Sequence, residues 1–271
     1  MSMWQFLAPA FLFSVLLIVT HTYFGLHVLA RGIVFIDLAL AQFAALGVSL
    51  VFLAGGDTHG ELALLSSFAV ALAAALGFSL LRRVPSKTTR EVVIGIAYVG
   101  ATALSVLVLS RSVHGMEELK AIFNGNILWV SWPEVGMVAT FYAVLVVLHF
   151  VFRRRFLVLS FSSGREGEPS LAWEFAFFAS FAAVIALAVN VAGVLLVFAF
   201  LIMPAFAASL LVSSFGVRLA VGWAAGAVGS VLGLGLAYEA DLPVGATVVS
   251  ILTLLPVAAA LLGVIHRRLA A

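Results

Sequence analysis

The sequence of 271 residues contains no cysteine. Disulfide bonds are therefore excluded, and so are thiolate ligands for a metal ion. Any metal site has to use histidine, carboxylates or neutral oxygen atoms. Charged residues are also scarce, because they make up 10% of the chain, whereas a soluble domain usually carries about 25%. This shortage argues against a soluble globular protein.

A phosphate-binding loop is missing as well. No segment follows the pattern Gly-x-x-x-x-Gly-Lys-Ser/Thr, in which backbone amides hold the phosphates of a nucleotide. The chain therefore cannot bind and hydrolyse ATP through such a loop, and we expect it not to be an enzyme. We expect neither a cofactor bound by this chain nor a nucleic-acid partner.

Long apolar runs dominate what is present. Hydrophobic residues make up 64% of the chain, and the mean hydropathy is +1.24. The runs are continuous over about 20 residues, which is enough to cross about 30 Å of hydrocarbon as a helix. A membrane barrel would instead alternate apolar and polar residues. The sequence predicts an all-α membrane protein, a polytopic helical bundle in the lipid bilayer.

Nine apolar runs are candidates for membrane spans. Their approximate limits are 5–28, 33–54, 61–81, 92–110, 134–152, 172–190, 193–213, 217–238 and 243–265. The sixth and seventh runs meet at a very tight turn, Asn190–Gly193, so eight crossings remain an alternative. The longest loops, 111–133 and 153–171, have only about 20 residues. We therefore expect residues 1–271 to form a single transmembrane domain.

Basic residues are distributed unequally between the two sides of these spans. With nine spans, 12 basic residues fall on one side and 2 on the other. The first group is Arg31, Arg82, Arg83, Lys87, Arg90, Arg153, Arg154, Arg155, Arg165, Arg218, Arg267 and Arg268, and the second is Arg111 and Lys120. Because basic loops stay in the cytoplasm, we predict an N-terminus outside the membrane and a cytoplasmic C-terminus.

Two polar residues lie inside the second apolar run, "GIVFIDLALAQFAALGV". Asp37 is the only acidic residue well inside a predicted span. Such residues usually face a bundle interior or a water-filled path, although Asp37 could also pair with an arginine or reach the interface. Gln42 points some 140° away on an ideal helix, so the two do not form one ligand pair. Gln42 either lines the same path or donates a hydrogen bond to a neighbouring helix.

The six histidines do not form one cluster. His59 lies in "GGDTHGE" near Asp57 and Glu61, and His114 lies in "VHGMEE". Either loop could hold a divalent cation briefly or could simply be a solvated loop. His21 and His27 are six residues apart on the first span, where interior packing is the expected role.

Glycine and proline mark positions of helix packing. The eighth run carries two pairs of small residues at a spacing that lets helices approach closely. These residues are Gly222, Gly226, Gly229 and Gly233. Pro204 and Pro256 lie inside the seventh and ninth runs, where proline removes a helix hydrogen bond and often kinks or breaks the helix. Broken helices can line a transport path, but many are only bends.

Four stretches, in order along the chain, resemble segments of one family. They are "VLARGIVFIDLALAQFAALGVSL", "TTREVVIGIAYVGATALSVLVLS", "IFNGNILWVSWPEV" and "NVAGVLLVFAFLIMPAFAASLLV", with "YEADLPVGATVV" further on. They are similar to the family's polar second helix ending in Leu-Gly-Val, its acidic residue before Gly-Ile, its Phe-Gly-Asp segment and its Ile-Pro-Ala helix. The family is that of the permeases of bacterial ATP-binding cassette (ABC) importers for zinc, manganese and related metals.

The resemblance implies partners and a mechanism. A second copy of the permease, two cytoplasmic ATPase subunits and an external metal-binding protein would complete the importer in the plasma (inner) membrane of a bacterium. The cytoplasmic coupling loop 153–171 would contact the ATPase, and we assign that contact to Arg165, Glu166 and Glu168. The segment "FNGNILW", with Asn124 and Asn126, would form an outer gate on the translocation path.

Two departures from the family pattern affect these expectations. The family usually has an aspartate on the second helix and a histidine four residues later, which places both on one face. Aligned without a gap, these positions are Leu38 and Gln42, and Asp37 lies one residue early. The metal site is therefore shifted, altered or absent. The family also favours an acidic helix in the coupling loop, where this chain has "SFSSGREGEPSLAWE".

The resulting hypothesis is a permease subunit that moves a divalent cation such as zinc or manganese into the cytoplasm. We assign Asp37, Gln42, Asn124 and Asn126 to the translocation path and Asp37 and His59 to metal binding. One alternative is a permease of the same build for another solute, such as a metal chelate. Others are an ion-coupled secondary carrier, with Asp37 as the sole coupling carboxylate, and a membrane scaffold that transports nothing.

Overall fold

The computed structural model describes residues 3–58, 60–111, 115, 117, 120, 123, 125, 127–161 and 170–269. This part of the chain contains ten α-helices that are each nine residues or longer. They are α1 (Met3–Arg31), α2 (Ile36–Leu53), α3 (Glu61–Ser79), α4 (Lys87–Leu109), α5 (Trp132–Val151), α6 (Arg153–Phe161), α7 (Leu171–Ala192), α8 (Val194–Leu211), α9 (Phe215–Glu239) and α10 (Val244–Leu269). Short 3₁₀ turns occupy Leu80–Arg83 and Ile127–Trp129.

Nine of the helices in the described residues are long and apolar enough to cross a membrane, and α6 is the exception. The predicted all-α polytopic fold is confirmed. The sixth and seventh predicted spans are separate helices, because α7 ends at Ala192 and α8 begins at Val194. Gly193 alone joins them, with a φ of 77° that favours glycine.

Polar residues at the helix starts define several boundaries. The Ser131 hydroxyl and amide both donate to Glu134 Oε2, at 2.6 and 2.7 Å, while the Glu134 amide donates to the Ser131 hydroxyl at 3.4 Å. This capping box satisfies free backbone amides at the start of α5. Ser86 and Ser170 accept hydrogen bonds from Thr89 N and Ala172 N at the starts of α4 and α7. These caps fix where three spans begin.

The chain divides into two compact units. The first, which we name the α2 unit, contains α2, α3, α4, α6, α7 and the second half of α5. The second, the α9 unit, contains α9, α10, almost all of α8, most of α1 and the first half of α5.

Within the α2 unit, α2 packs against α3, α4 and α7. Gly47 permits a very close approach of α2 to α3, because a Cβ atom at this position would lie 2.6 Å from the Ser66 carbonyl oxygen. The Ser66 hydroxyl donates to the Gly47 carbonyl at 2.8 Å. Elsewhere in the unit, His149 of α5 stacks on Phe156 of α6 at 4.0 Å and shares a 2.8 Å hydrogen bond with Ser180 of α7.

This close approach gives a prediction for stability. Gly47→Ala is expected to destabilise the protein by about 1–3 kcal/mol, because the new methyl group meets backbone atoms that cannot rotate away. Gly77→Ala on α3 is the matched control, since a Cβ atom there has no neighbour within 4 Å and alanine favours a helix. Chemical unfolding of the purified protein measures both changes. Equal stabilities of the two variants would contradict the close contact.

Within the α9 unit, the glycines of α9 contact two different partners. A Cβ atom at Gly222 would lie 2.6 Å from Thr22 Cγ2 of α1, and one at Gly233 would lie 2.8 Å from Val248 Cα of α10. The predicted role of these small residues in close helix packing is confirmed. The two prolines of α8 and α10 do not break their helices, because Pro204 and Pro256 lie inside continuous helical segments.

Candidate translocation site

The candidate site begins at the turn from α1 into α2. Gly32 has a φ of 66°, which glycine adopts without strain, and the Ile36 amide donates to the Ile33 carbonyl at 3.2 Å. Asp37 thus falls in the first turn of α2, nearer to the helix end than the predicted position well inside a span. Free amides and the helix dipole favour a carboxylate at this position.

Asp37 is buried, with 1% of its surface exposed. Among the described residues, neither of its carboxylate oxygens has a hydrogen-bond partner. The side chain therefore does not reach the protein surface, and the structure shows no arginine paired with it in this part of the chain. A buried carboxylate without partners is costly, so its retention calls for an explanation other than stability.

Gln42 is equally buried, at 1% exposure. Its amide nitrogen has no acceptor in the part of the chain that the structure describes. Both polar residues are buried although they point in different directions, because α2 is covered by α3, α4 and α7. Asp37 and Gln42 are therefore two separate buried polar residues on α2.

Glu91 is a residue of this site to which the sequence analysis gave no role of its own. Its Oε1 accepts a hydrogen bond from the Phe35 amide at 2.9 Å, so α4 caps the start of α2 immediately before Asp37. The signal in the sequence was the family-like acidic residue of "TTREVVIG". The sequence did not reveal its partner because Phe35 is 56 residues away.

A cap of this kind has a measurable contribution. Glu91→Ala is expected to destabilise the protein by about 0.5–2 kcal/mol, the usual cost of losing a side chain that accepts from free helix amides. Glu91→Gln keeps an oxygen acceptor and should lose less than half of that amount. Thermal unfolding in detergent compares the two variants with the parent chain. A larger loss for glutamine than for alanine would contradict the capping role.

A buried ion pair lies at the same end of the α2 unit. Arg31 Nη2 donates to Glu174 Oε2, and the two side chains are only 7% and 5% exposed. The guanidinium carbon of Arg31 lies 5.0 Å from the ring centre of Phe177 and 4.9 Å from that of Phe178. This pair could not be predicted from the sequence, since 143 residues separate its members.

The buried histidines of α1 pack inside the α9 unit, as predicted. His21 is fully buried, and its Nδ1 donates to the Leu17 carbonyl at 3.0 Å. The His27 ring lies 4.6 Å from the ring of Tyr23 and 5.6 Å from that of Phe215. Their surroundings indicate packing and not a ligand cluster.

Several predicted site residues lie outside the described residues. They are His59, Asn124, Asn126, Arg165, Glu166 and Glu168. Gly125 is described, and a Cβ atom there would lie 2.0 Å from the Ala192 carbonyl carbon. The backbone at Gly125 therefore rests against the C-terminal end of α7. No group of three or more His, Asp or Glu residues that could hold a metal occurs in the described ranges.

Comparison with known proteins adds independent findings. The family model described as "ABC 3 transport family" matches residues 3–263. The manganese transport system membrane protein MntC of Listeria monocytogenes is 25% identical over 261 residues, covering 93% of this chain and 89% of that protein. The chelated iron transport system membrane protein YfeC of Yersinia pestis is 27% identical, covering 69% of this chain and 64% of that protein.

A solved structure shares the fold. One chain of PsaBC from Streptococcus pneumoniae in complex with Fab superposes with a TM-score of 0.76 at 23% identity. The match covers 94% of this chain and 91% of that chain.

Proposed function

Since this chain belongs to the ABC 3 transport family and lies in the plasma membrane as a permease subunit without an ATPase site of its own, we propose that it imports a divalent metal cation. Manganese is the cation that we favour. Two relatives, MntC and YfeC, are named as transport proteins for manganese and for chelated iron. The observation that carries the proposal is Asp37, a buried carboxylate with no hydrogen-bond partner among the described residues.

Asp37 and Gln42 are the proposed contacts of the cation on its path. A carboxylate retained at a cost inside a span is usually functional, and a passing cation supplies the missing partner. The family's usual histidine is replaced by Gln42 under the ungapped alignment. Oxygen donors suit manganese, whereas imidazole suits zinc. The Asp37 carboxylate and the Gln42 amide oxygen, as separate contacts along the path, therefore favour manganese over zinc.

The chain is proposed to be oriented with its N-terminus outside and its C-terminus in the cytoplasm. The 12-to-2 distribution of basic residues supports this orientation. It places the ends of α1 and α3 and the starts of α4 and α7 on the cytoplasmic side. It also places Gly125 and the end of α7 on the outer side, where "FNGNILW", with Asn124 and Asn126, is proposed to act as the outer gate.

The coupling loop 153–171 is proposed to be the contact with the ATPase, through Arg165, Glu166 and Glu168. Support comes from α6, which forms the first part of this loop. Phe156 of α6 stacks on His149 of α5 and lies edge-on to Trp173 of α7, with ring centres 5.8 Å apart. A force on the loop would thus reach two membrane helices through buried aromatic contacts.

The remaining partners follow from the proposed importer. They are an external metal-binding protein that delivers the cation, and a second copy of this chain. We assign His59, beside the outer acidic residues Asp57 and Glu61, to first capture of the cation on that side. A metal chelate is the second candidate substrate, because the chelated iron relative matches and a histidine is missing from α2.

Reconstitution tests the proposal. The chain is purified with an ABC ATPase subunit that copurifies with it, placed in liposomes and supplied with radioactive manganese. We expect uptake that requires ATP and that excess unlabelled manganese suppresses more strongly than zinc does. Uptake by the chain without nucleotide would overturn the importer and indicate an ion-coupled carrier. Uptake of the chelate but not of the free ion would shift the substrate to the second candidate.

A further inference from the structure

A small cavity in the α2 unit is not used by the proposed transport path. Its polar lining consists of Arg31, Arg82, Arg90 and Glu174, and Ile94 and Phe178 form part of its apolar wall. Three arginines and one glutamate therefore line the cavity. Such an excess of positive charge in a partly enclosed space attracts an anion.

Two of these arginines carry donors that nothing in the described residues satisfies. Arg31 is 8% exposed, and its Nη2 donates to Glu174 while its buried Nη1 has no acceptor. The Nε atom of Arg90 is also buried without an acceptor in the described part of the chain. The Arg31 group cannot turn away, because the rings of Phe177 and Phe178 hold it. Unsatisfied buried donors of this kind indicate a missing acceptor.

The cavity lies at the ends of four helices. Arg31 is the last residue of α1, Arg82 lies in the turn that follows α3, Arg90 is in the first turn of α4 and Glu174 is in the first turn of α7. In a membrane these ends lie at the depth of the lipid headgroups. Basic pockets between the ends of membrane helices bind the phosphates of anionic lipids.

We propose that this cavity, the arginine cavity, is a binding site for one phosphate group, with the headgroup of an anionic phospholipid as its source in the membrane. The volume of this partly open cavity is about 10 Å³, which admits one water-sized group. One phosphate oxygen accepts from Arg31 Nη1 inside the cavity. The half-buried Arg82 and Arg90 at its rim bind the remaining oxygens, since guanidinium forks match phosphate geometry.

The test uses the delipidated full chain and compares the double variant Arg82→Gln/Arg90→Gln with the control Arg83→Gln/Lys87→Gln. Both variants remove two positive charges from the same segment, but Arg83 and Lys87 are exposed and do not line the cavity. Arg31 is left unchanged, because its loss would leave the buried Glu174 carboxylate without its ion-pair partner. Native mass spectrometry measures the affinity for phosphatidylglycerol and phosphatidylcholine, and a thermal shift measures binding of inorganic phosphate.

We expect phosphatidylglycerol to bind the parent chain more tightly than phosphatidylcholine does. The cavity variant should bind phosphatidylglycerol roughly tenfold more weakly, because it loses hydrogen bonds between arginine and a charged phosphate. The control variant should lose less than twofold in affinity. Arg82→Lys/Arg90→Lys keeps both positive charges, and its affinity for phosphatidylglycerol should lie between those of the cavity and control variants. An intermediate affinity would show that the cavity variant loses binding and not folding. Binding of inorganic phosphate with the same variant dependence, but no lipid preference, would support the phosphate site with a soluble source.

Three outcomes would overturn the proposal. One is equal binding of both lipids with no phosphate effect, as expected if the cavity holds only an ordered water. Another is an equal loss in the cavity and control variants, which would mean a general attraction of the basic surface. The third is unchanged affinity in the cavity variant.

Discussion

Asp37→Asn is expected to lower ATP-driven manganese uptake by roughly tenfold or more, a factor that corresponds to about 1.4 kcal/mol, without lowering the stability of the protein. The amide keeps the shape of the side chain but removes the charge that a divalent cation needs. The same change relieves the cost of a buried carboxylate that has no partner among the described residues. Uptake and thermal stability should therefore change in opposite directions.

The control for this variant is Asp241→Asn. It makes the same chemical change at an exposed residue with a positive φ of 49°, a conformation that asparagine tolerates. Uptake by this control should equal that of the parent chain. If Asp37→Asn transports manganese normally, Asp37 does not line the path. If it loses stability together with uptake, the carboxylate serves the fold.

Glu174→Ala is expected to destabilise the protein by about 3–5 kcal/mol, the usual result of removing one partner of a buried ion pair. Arg31 would remain held between two aromatic rings with its charge uncompensated. Unfolding of the purified protein by denaturant in detergent measures the change.

A double variant distinguishes the loss of the pair from the loss of packing. Arg31→Met/Glu174→Leu replaces both charges by apolar side chains of similar volume, and such replacements are often neutral or stabilising. We expect it to recover most of the stability that Glu174→Ala loses. If the double variant is no more stable than the single one, Glu174 contributes through contacts other than Arg31.

Much of the fold is predictable because membrane spans are determined by local composition. The run predicted at 33–54 is observed as Ile36–Leu53, and the run predicted at 217–238 as Phe215–Glu239. Hydrocarbon permits only a helix in such runs, so tertiary packing has little power to override them. The glycine spacing of α9 similarly predicted close contacts, because small residues on a span have few other uses.

The contacts around the candidate site were not predictable in the same way. Arg31 pairs with Glu174 and Phe35 is capped by Glu91, across 143 and 56 residues respectively. Which helix ends meet is decided by packing among several helices, and the periodicity of one helix carries no information about it. The sequence could identify Asp37 as unusual, but its lack of a partner is visible only once α3, α4 and α7 surround it.

The Gly47 contact restricts how Asp37 can move. The backbones of α2 and α3 are in close contact at Gly47. If one helix slid along the other by a full turn, about 5.4 Å, a side chain of α2 would collide with Ser66. The hydrogen bond that the Ser66 hydroxyl donates to Gly47 would also break. A register shift of α2 alone is therefore blocked. During a transport cycle α2 and α3 must travel together, and crosslinks between them should persist through turnover.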